Sequence, residues 1–188
     1  MVKININKLS IKEKGYLLGL FAGDGYAHHN KKDRHYTAEF YLNSERDKKT
    51  KDFLISLLEK VGLNVFVFKD KRCDCVRIRV HSKEFYFFCL DMKYNENTDF
   101  KIGFISGFID SDGFVNWEKS TINIVNTNLE LLKKAQRFLE DVSIKSTLSK
   151  RVFSKKDRKV SYIMNIPVRF KSVPHISQKC GVTLSIAG

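Results

Sequence analysis

The sequence predicts an α+β protein of two tandem αββαββα repeats, with one helix of each repeat packed against the other on a pseudo-twofold axis and antiparallel sheets forming a saddle. Three observations carry that expectation. Residues 17–25 (Leu-Leu-Gly-Leu-Phe-Ala-Gly-Asp-Gly) return as residues 105–113 (Ile-Ser-Gly-Phe-Ile-Asp-Ser-Asp-Gly), with Gly19 and Gly107, Asp24 and Asp112, and Gly25 and Gly113 all 88 positions apart. The same order of helical and alternating apolar patterns follows each copy. Neither half is large enough to bury its motif helix alone, so the two helices complete each other's packing.

Each motif reads as a helix stopped by glycine. Apolar residues run for more than two turns without proline, and Gly25 or Gly113 follows the final acid, which predicts a left-handed glycine cap. Gly19 and Gly23 share one face, as do Gly107 and Ser111, leaving strips without bulk where two backbones can approach. Packing those strips together brings Asp24 and Asp112 to one place, each at the negative end of a helix dipole, a position disfavoured by ~0.3–1 kcal/mol apiece. Two carboxylates held there call for a divalent cation between or beside them. A merely polar Asp-Gly turn is the plainer reading of either copy alone; repetition in register argues against it.

The elements follow in order. Ser10 and Glu13 have the capping-box spacing, so the first motif helix starts near Ile11 and runs to Asp24. Residues 26–30 and 36–43 predict a hairpin about the charged turn 31–34, with Phe40 and Leu42 on one face and Glu39, Tyr41 and Asn43 on the other. Phe53, Leu54, Leu57, Leu58 and Val61 recur at helical spacing within 46–61, closed by Gly62. Residues 63–68 and 75–81 predict a second hairpin, in which Val76, Ile78 and Val80 alternate with Arg77, Arg79 and His81. Ser82 caps a helix over 83–92 whose apolar face holds Phe85, Phe88, Cys89 and Met92. The polar stretch 93–101 reads as a linker and divides the chain into halves 1–98 and 99–188. After the second motif helix come strands at 114–118 and 121–126, then a helix over 129–142 with Leu132, Ala135, Phe138, Leu139 and Val142 inward. A basic hairpin from 146–153 and 160–168 carries Lys150, Arg151, Lys155, Lys156, Arg158 and Lys159 about its turn. Pro167 belongs at an edge or at the end of its strand, and the closing helix, around 169–180, is weaker and contains Pro174.

A chain of 188 residues, 43% hydrophobic and 12% aromatic, is that of a folded protein, and its formal net charge of +13 asks for an acidic macromolecular partner. Nucleic acid is the first candidate and a membrane surface the rival. Against the rival, the charge is spread along the whole chain and no apolar run approaches the ~18–20 residues that span a bilayer. Residues 1–10 lack the apolar core of a signal peptide, which points to an intracellular protein. Cys73, Cys75, Cys89 and Cys180 lack paired C-x-x-C spacing and read as reduced, structural thiols. Arg77, Arg79 and the cluster at 150–159 could by themselves be solvated edges; with the charge balance and the acid pair they point to a sheet face that covers nucleic acid.

The two nonapeptides resemble the signature of the LAGLIDADG homing endonucleases, in the single-chain form that carries two copies. Gly19 and Gly107 match its first glycine, Asp24 and Asp112 its final acid, and Gly25 and Gly113 its last residue. The match departs at Ala22, where the signature has an acid that Asp110 retains, and at Leu18 and Ser106, which replace its first alanine. Neither departure touches the acid the family uses for catalysis. The resemblance implies a DNA endonuclease encoded within a mobile intron or intein, making a staggered double-strand break at a long site, with each sheet in a major groove. Asp24 and Asp112, with the carbonyls of Gly23 and Ser111, would hold divalent cations, normally Mg2+. Phosphodiester hydrolysis needs an activated water and charge stabilisation on both oxygens, which carboxylate-bound metals provide. The family also places a polar residue at the end of the second strand of each half, a place taken by Asn43 and Asn126, 19 and 14 residues after their acids, the difference being assigned to a longer first hairpin loop. As amides they orient water but are not bases. Lys93 and Lys179 are the candidates for an assisting cation.

Outward strand positions are the expected base readers: His28, Asn30, Glu39, Tyr41, Arg77 and Arg79 in the first half, and Asn116, Glu118, Thr121, Asn123 and Arg151 in the second. The halves differ at nearly all of them, so the expected double-stranded DNA target is non-palindromic and the protein a monomer. The compartment would be cytoplasmic in an archaeon or bacterium, and organellar for an organellar intron. The rival readings are an RNA maturase on the same scaffold, a relative that binds DNA without cutting, and a basic protein of a ribonucleoprotein.

Overall fold

Ser10 Oγ accepts the Glu13 amide while the Glu13 carboxylate accepts the Ser10 amide, so the capping box is formed and helix α1 (Ile11–Asp24) starts where the spacing placed it. The computed structural model describes residues 4–70, 74–91, 95–151 and 160–167. A one-turn 3-10 helix (Ile6–Lys8) precedes α1; then come β1 (Gly25–Asn30), β2 (His35–Asn43), α2 (Lys48–Lys60), β3 (Val65–Asp70), β4 (Cys75–His81) and α3 (Lys83–Asp91). The order repeats as α4 (Thr98–Asp112), β5 (Gly113–Asn116), β6 (Thr121–Asn126), α5 (Leu129–Asp141), β7 (Thr147–Arg151) and β8 (Ser161–Pro167). The strands form two antiparallel four-stranded sheets, β1-β2-β4-β3 and β5-β6-β8-β7. The architecture is the α+β one the repeat predicts. Lys155, Lys156, Arg158, Lys159, Lys93, Lys179, Cys73, Cys180, Met92 and the helix expected around 169–180 lie outside the described residues.

α1 and α4 cross through their glycines, with the symmetry the 88-residue offset requires. A Cβ placed on Gly19 would stand 2.0 Å from Phe104 O, and one on Gly107 would stand 2.1 Å from Tyr16 O. Gly15 and Gly103 repeat the pattern, at 2.2 Å from Phe100 O and 2.0 Å from Lys12 O, so the bulk-free strip is a turn longer than Gly19 and Gly107 alone suggest. The close approach lets α1 serve two cores: Tyr16, Leu17, Leu20 and Phe21 pack with Phe40, Leu54, Ile78 and Phe85, while Leu18 joins Phe104, Phe108, Ile124 and Leu139.

Three local expectations are corrected. Gly25 and Gly113 are not left-handed caps: at φ −91° and ψ 149° or 157° both are extended and begin the next strand. Glycine is needed because a Cβ there would lie 2.3 Å from Phe21 O or 2.4 Å from Ile109 O. The stretch 93–101 is not all linker. Asn97 caps α4 through the Asp99 amide, and Lys101, buried, places Nζ 2.7 Å from both Glu96 and Asp141. Those charges are spent on a cap and an ion-pair triad. Glu118 is not on a strand; β5 stops at Asn116, whose Oδ1 accepts the Lys119 amide and turns the chain, with Ser120 at φ 49°. Pro167 stands at the end of β8 opposite Thr121.

Candidate active site and nucleic-acid interface

The motif helices end side by side. A Cβ on Gly23 would meet Ser111 Oγ at 2.1 Å and Asp112 Oδ2 at 2.9 Å, so the Asp112 carboxylate lies against the last turn of α1, one residue from Asp24. Both aspartates are half-buried. Ser111 is buried and its hydroxyl donates to Phe108 O at 3.0 Å. The carbonyls of Gly23 and Ser111 belong to final helical turns, where intrahelical partners run out. Two carboxylates with backbone carbonyls beside them form a hard oxygen donor set suited to Mg2+ or Ca2+. Among the described residues no cluster of three or more His, Cys, Asp and Glu assembles a metal site, so any cation here rests on this pair and on main chain.

Asn126 is brought to the acid. Its Nδ2 donates to Asp112 Oδ2 at 2.6 Å, and its Oδ1 accepts the Asn128 amide at 2.7 Å, which fixes the side chain from both ends. Asn43 is not its counterpart. Gly25 pairs with Phe40 and Gly113 with Ile124, so the strand position equivalent to Asn126 is Leu42, a core residue 1% exposed. Both hairpin turns have four residues, 31–34 and 117–120; the first hairpin has longer arms, not a longer loop. Asn43 instead serves the strand-end turn, its Oδ1 accepting the Glu45 and Arg46 amides and its own amide donating to Asp47 Oδ2. Lys93 and Lys179 lie outside the described residues.

Deeper between the helices, the Tyr16 phenol donates to Asp110 Oδ2 at 2.6 Å, and both residues are fully buried. Burial first, then the Asp110 charge and this bond, push the Tyr16 pKa well above its ordinary value.

Each sheet turns one face to its core and one outward. On the first sheet the outward face carries Tyr26, His28 and Asn30 from β1, Glu39 and Tyr41 from β2, Arg77 and Arg79 from β4, and Phe66 and Phe68 from β3. Glu39 is not presented to a ligand: it is 4% exposed, bound by Arg79 and by the Tyr41 hydroxyl at 2.6 Å, with Arg77 4.0 Å away. Burial raises its carboxyl pKa, but those donors and charges outweigh it and hold the group below the ordinary range. Arg77 and Arg79 lie over the Phe68 ring at 5.1 and 5.3 Å. Asn30 folds onto its turn through the Lys32 amide and Asp33, while His28 is exposed beside Tyr26.

The second face is uncharged where the first is ionic. Glu39 pairs with Arg79 on neighbouring strands; the equivalent places hold Asn123 and Asn165, joined by Asn123 Nδ2 donating to Asn165 Oδ1 at 3.0 Å. Thr121 donates to Asn123 and Asn165 to Thr147, so Asn123, 3% exposed, is also knitted into the sheet. Asn116 is committed to its turn, and Arg151 ends the outer strand β7, exposed. Sequence reasoning missed the exposed aromatics Tyr26, Phe66, Phe68 and Phe114, 53%, 46%, 40% and 44% exposed, and missed Asn165. Strand parity would have found Tyr26 and Phe114, which alternate in step with His28 and Asn116.

Residues 99–179 match the family model of the LAGLIDADG-like domain. No curated protein sequence matches the chain. Among solved structures, that of I-DmoI in complex with DNA and Ca is 24% identical, with a TM-score of 0.65 over 85% of this chain and 84% of that one. I-DmoI with DNA and Mn is 24% identical, with a TM-score of 0.65 over 88% and 92%. Full-length DUF199/WhiA from Thermatoga maritima is 18% identical, with a TM-score of 0.59 over 82% of this chain and 51% of that one. The second half of the chain, residues 99–179, thus matches the LAGLIDADG-like domain, and the chain as a whole has the fold of the solved I-DmoI structures.

Proposed function

We propose that this protein is a site-specific endonuclease that hydrolyses both strands of a long, non-palindromic DNA duplex inside the cell, using divalent metal, Mg2+ first among candidates. The observation that carries the reading is the convergence of Asp24 and Asp112 at the ends of two helices packed backbone to backbone. I-DmoI, of the same fold, has been seen with DNA and Ca or Mn.

Asp24 and Asp112, with the carbonyls of Gly23 and Ser111, would hold the metal, which when bound supplies an activated water and stabilises charge on the leaving oxygen. Glycine contacts at three levels fix α1 against α4 and hold the carboxylates at one separation. Asn126 orients Asp112 by its bond to Oδ2. The outward sheet faces position the duplex. Arg77 and Arg79 suit guanine edges, and Asn165, partly exposed and held in place by the buried Asn123, suits adenine. Tyr26 and Phe114, at matching places on the first strands, offer apolar surface to bases or sugars. Because Glu39 and Arg79 are replaced across the pseudo-twofold by two asparagines, the half-sites read would differ.

The test is Mg2+-dependent cutting of duplex DNA that spans the gene's insertion site, with EDTA as control. Cleavage supports the proposal. Tight binding to intron RNA without DNA cutting would select the maturase reading, and DNA binding without cutting the non-cleaving one.

A further inference from the structure

The helix pair contains two equivalent sockets filled in opposite ways. In one, Tyr16 of α1 donates to Asp110 of α4. The 88-residue offset carries Tyr16 to Phe104 and Asp110 to Ala22, and the reciprocal contacts of Gly19 with Phe104 O and Gly107 with Tyr16 O confirm that frame. The second socket is therefore apolar: Phe104 is fully buried and Ala22 packs on the core that contains it. A third position varies in the same sense. Superposing Leu57 and Leu58 of α2 on Phe138 and Leu139 of α5 sets Thr50, a fully buried hydroxyl beside the Tyr16 phenol, over Leu131 of the second core.

We infer that the unlike sockets are a recognition device: each accepts tyrosine with aspartate or phenylalanine with alanine and rejects a mixture, so α1 pairs with α4 and not with a second copy of itself. Pairing two copies of α1 would set each phenol against Ala22, burying two hydroxyls without the carboxylate and with only the Thr50 hydroxyl beside each. Pairing two copies of α4 would set each Asp110 carboxylate against Phe104 and bury two uncompensated charges. Of the three pairings, only the unlike one joins the phenol to the carboxylate. The partner that α4 fits is a motif helix offering a phenol to Asp110 and a methyl group to Phe104, and the inference does not depend on DNA cleavage.

The sockets can be tested in the full chain, by urea unfolding of three variants. Phe104→Tyr with Asp110→Ala gives both helices the α1 filling, and Tyr16→Phe with Ala22→Asp gives both the α4 filling. Each is expected to lower the urea midpoint, the second more. All four substitutions together transpose the two sockets and are expected to restore the midpoint towards wild type, although this variant carries twice as many changes. Should the fourfold variant unfold, adding Thr50→Leu and Leu131→Thr completes the transposition and is expected to rescue it. Homotypic variants as stable as wild type, or a complete transposition no more stable than they are, would overturn the inference.

Discussion

Asn126 Nδ2 sits 2.6 Å from Asp112 Oδ2, while the position that mirrors Asn126 beside Asp24 is Leu42. The second strand of the first half thus offers a core leucine where that of the second half offers an amide. A hydrogen bond to a charged group contributes ~1.5–3 kcal/mol. Asn126→Leu, which copies the first half, is expected to slow cutting of the strand served by Asp112 by about tenfold or more, with the other strand cut at the wild-type rate. Strand-resolved gels with each end labelled separately make the measurement.

The helix crossing separates glycines that face backbone from one that faces a side chain. At Gly19 and Gly107 the obstruction is a carbonyl oxygen; at Gly23 it is the Ser111 side chain. Gly19→Ala and Gly107→Ala are each expected to cost about 3 kcal/mol or more, since the helices must part to admit the methyl group. Gly23→Ala should cost less and be largely relieved by Ser111→Gly, a rescue that no side-chain change opposite Gly19 can supply. Chemical denaturation of the single and double variants tests this.

Glu39 predicts a pH signature. Its carboxyl is held below the ordinary 4.5 despite burial, chiefly by Tyr41 and Arg79. A group depressed on folding contributes stability above its unfolded pKa and loses it as pH falls through the folded value. Glu39→Gln is therefore expected to lower the urea midpoint at pH 7, with the difference closing below pH ~4 as the wild-type carboxyl protonates.

On the sheet faces, Arg77→Ala and Asn165→Ala should behave differently. Loss of Arg77, whose guanidinium suits a guanine edge, is expected to relax selectivity at one base pair by ~1–3 kcal/mol and, by removing a positive charge, to reduce the salt slope by up to about one. Loss of Asn165 also frees Asn123, and is expected to relax selectivity at one base pair by ~1–3 kcal/mol with the salt slope unchanged. Binding titrations across ionic strength, on the target and on single-base variants of it, distinguish the two.

Much of this was legible in the sequence because its strongest signal is a duplication. One offset fixed Gly19 on Gly107 and Asp24 on Asp112, and the periodicity of Leu54, Leu57 and Leu58, or of Val76, Ile78 and Val80, gave the packing elements. What stayed hidden depends on pairing across the chain. Counting from each acid cannot show that the first hairpin has longer arms, which is why Asn43 stood in for Leu42. Alternation put Glu39 on the outward face but not the Arg79 and Tyr41 groups that enclose it. The Tyr16–Asp110 bond joins residues 94 apart, and nothing local to either marks it.

The central claim is that Asp24 and Asp112 each serve one strand from a shared centre. The direct measurement is Mg2+-dependent cleavage of the insertion-site duplex by Asp24→Asn, Asp112→Asn and the double variant, with binding followed in parallel. The account predicts undiminished binding, loss of double-strand breakage in every variant, and no nicking by the double variant. Double-strand cleavage at the wild-type rate by the double variant would contradict it.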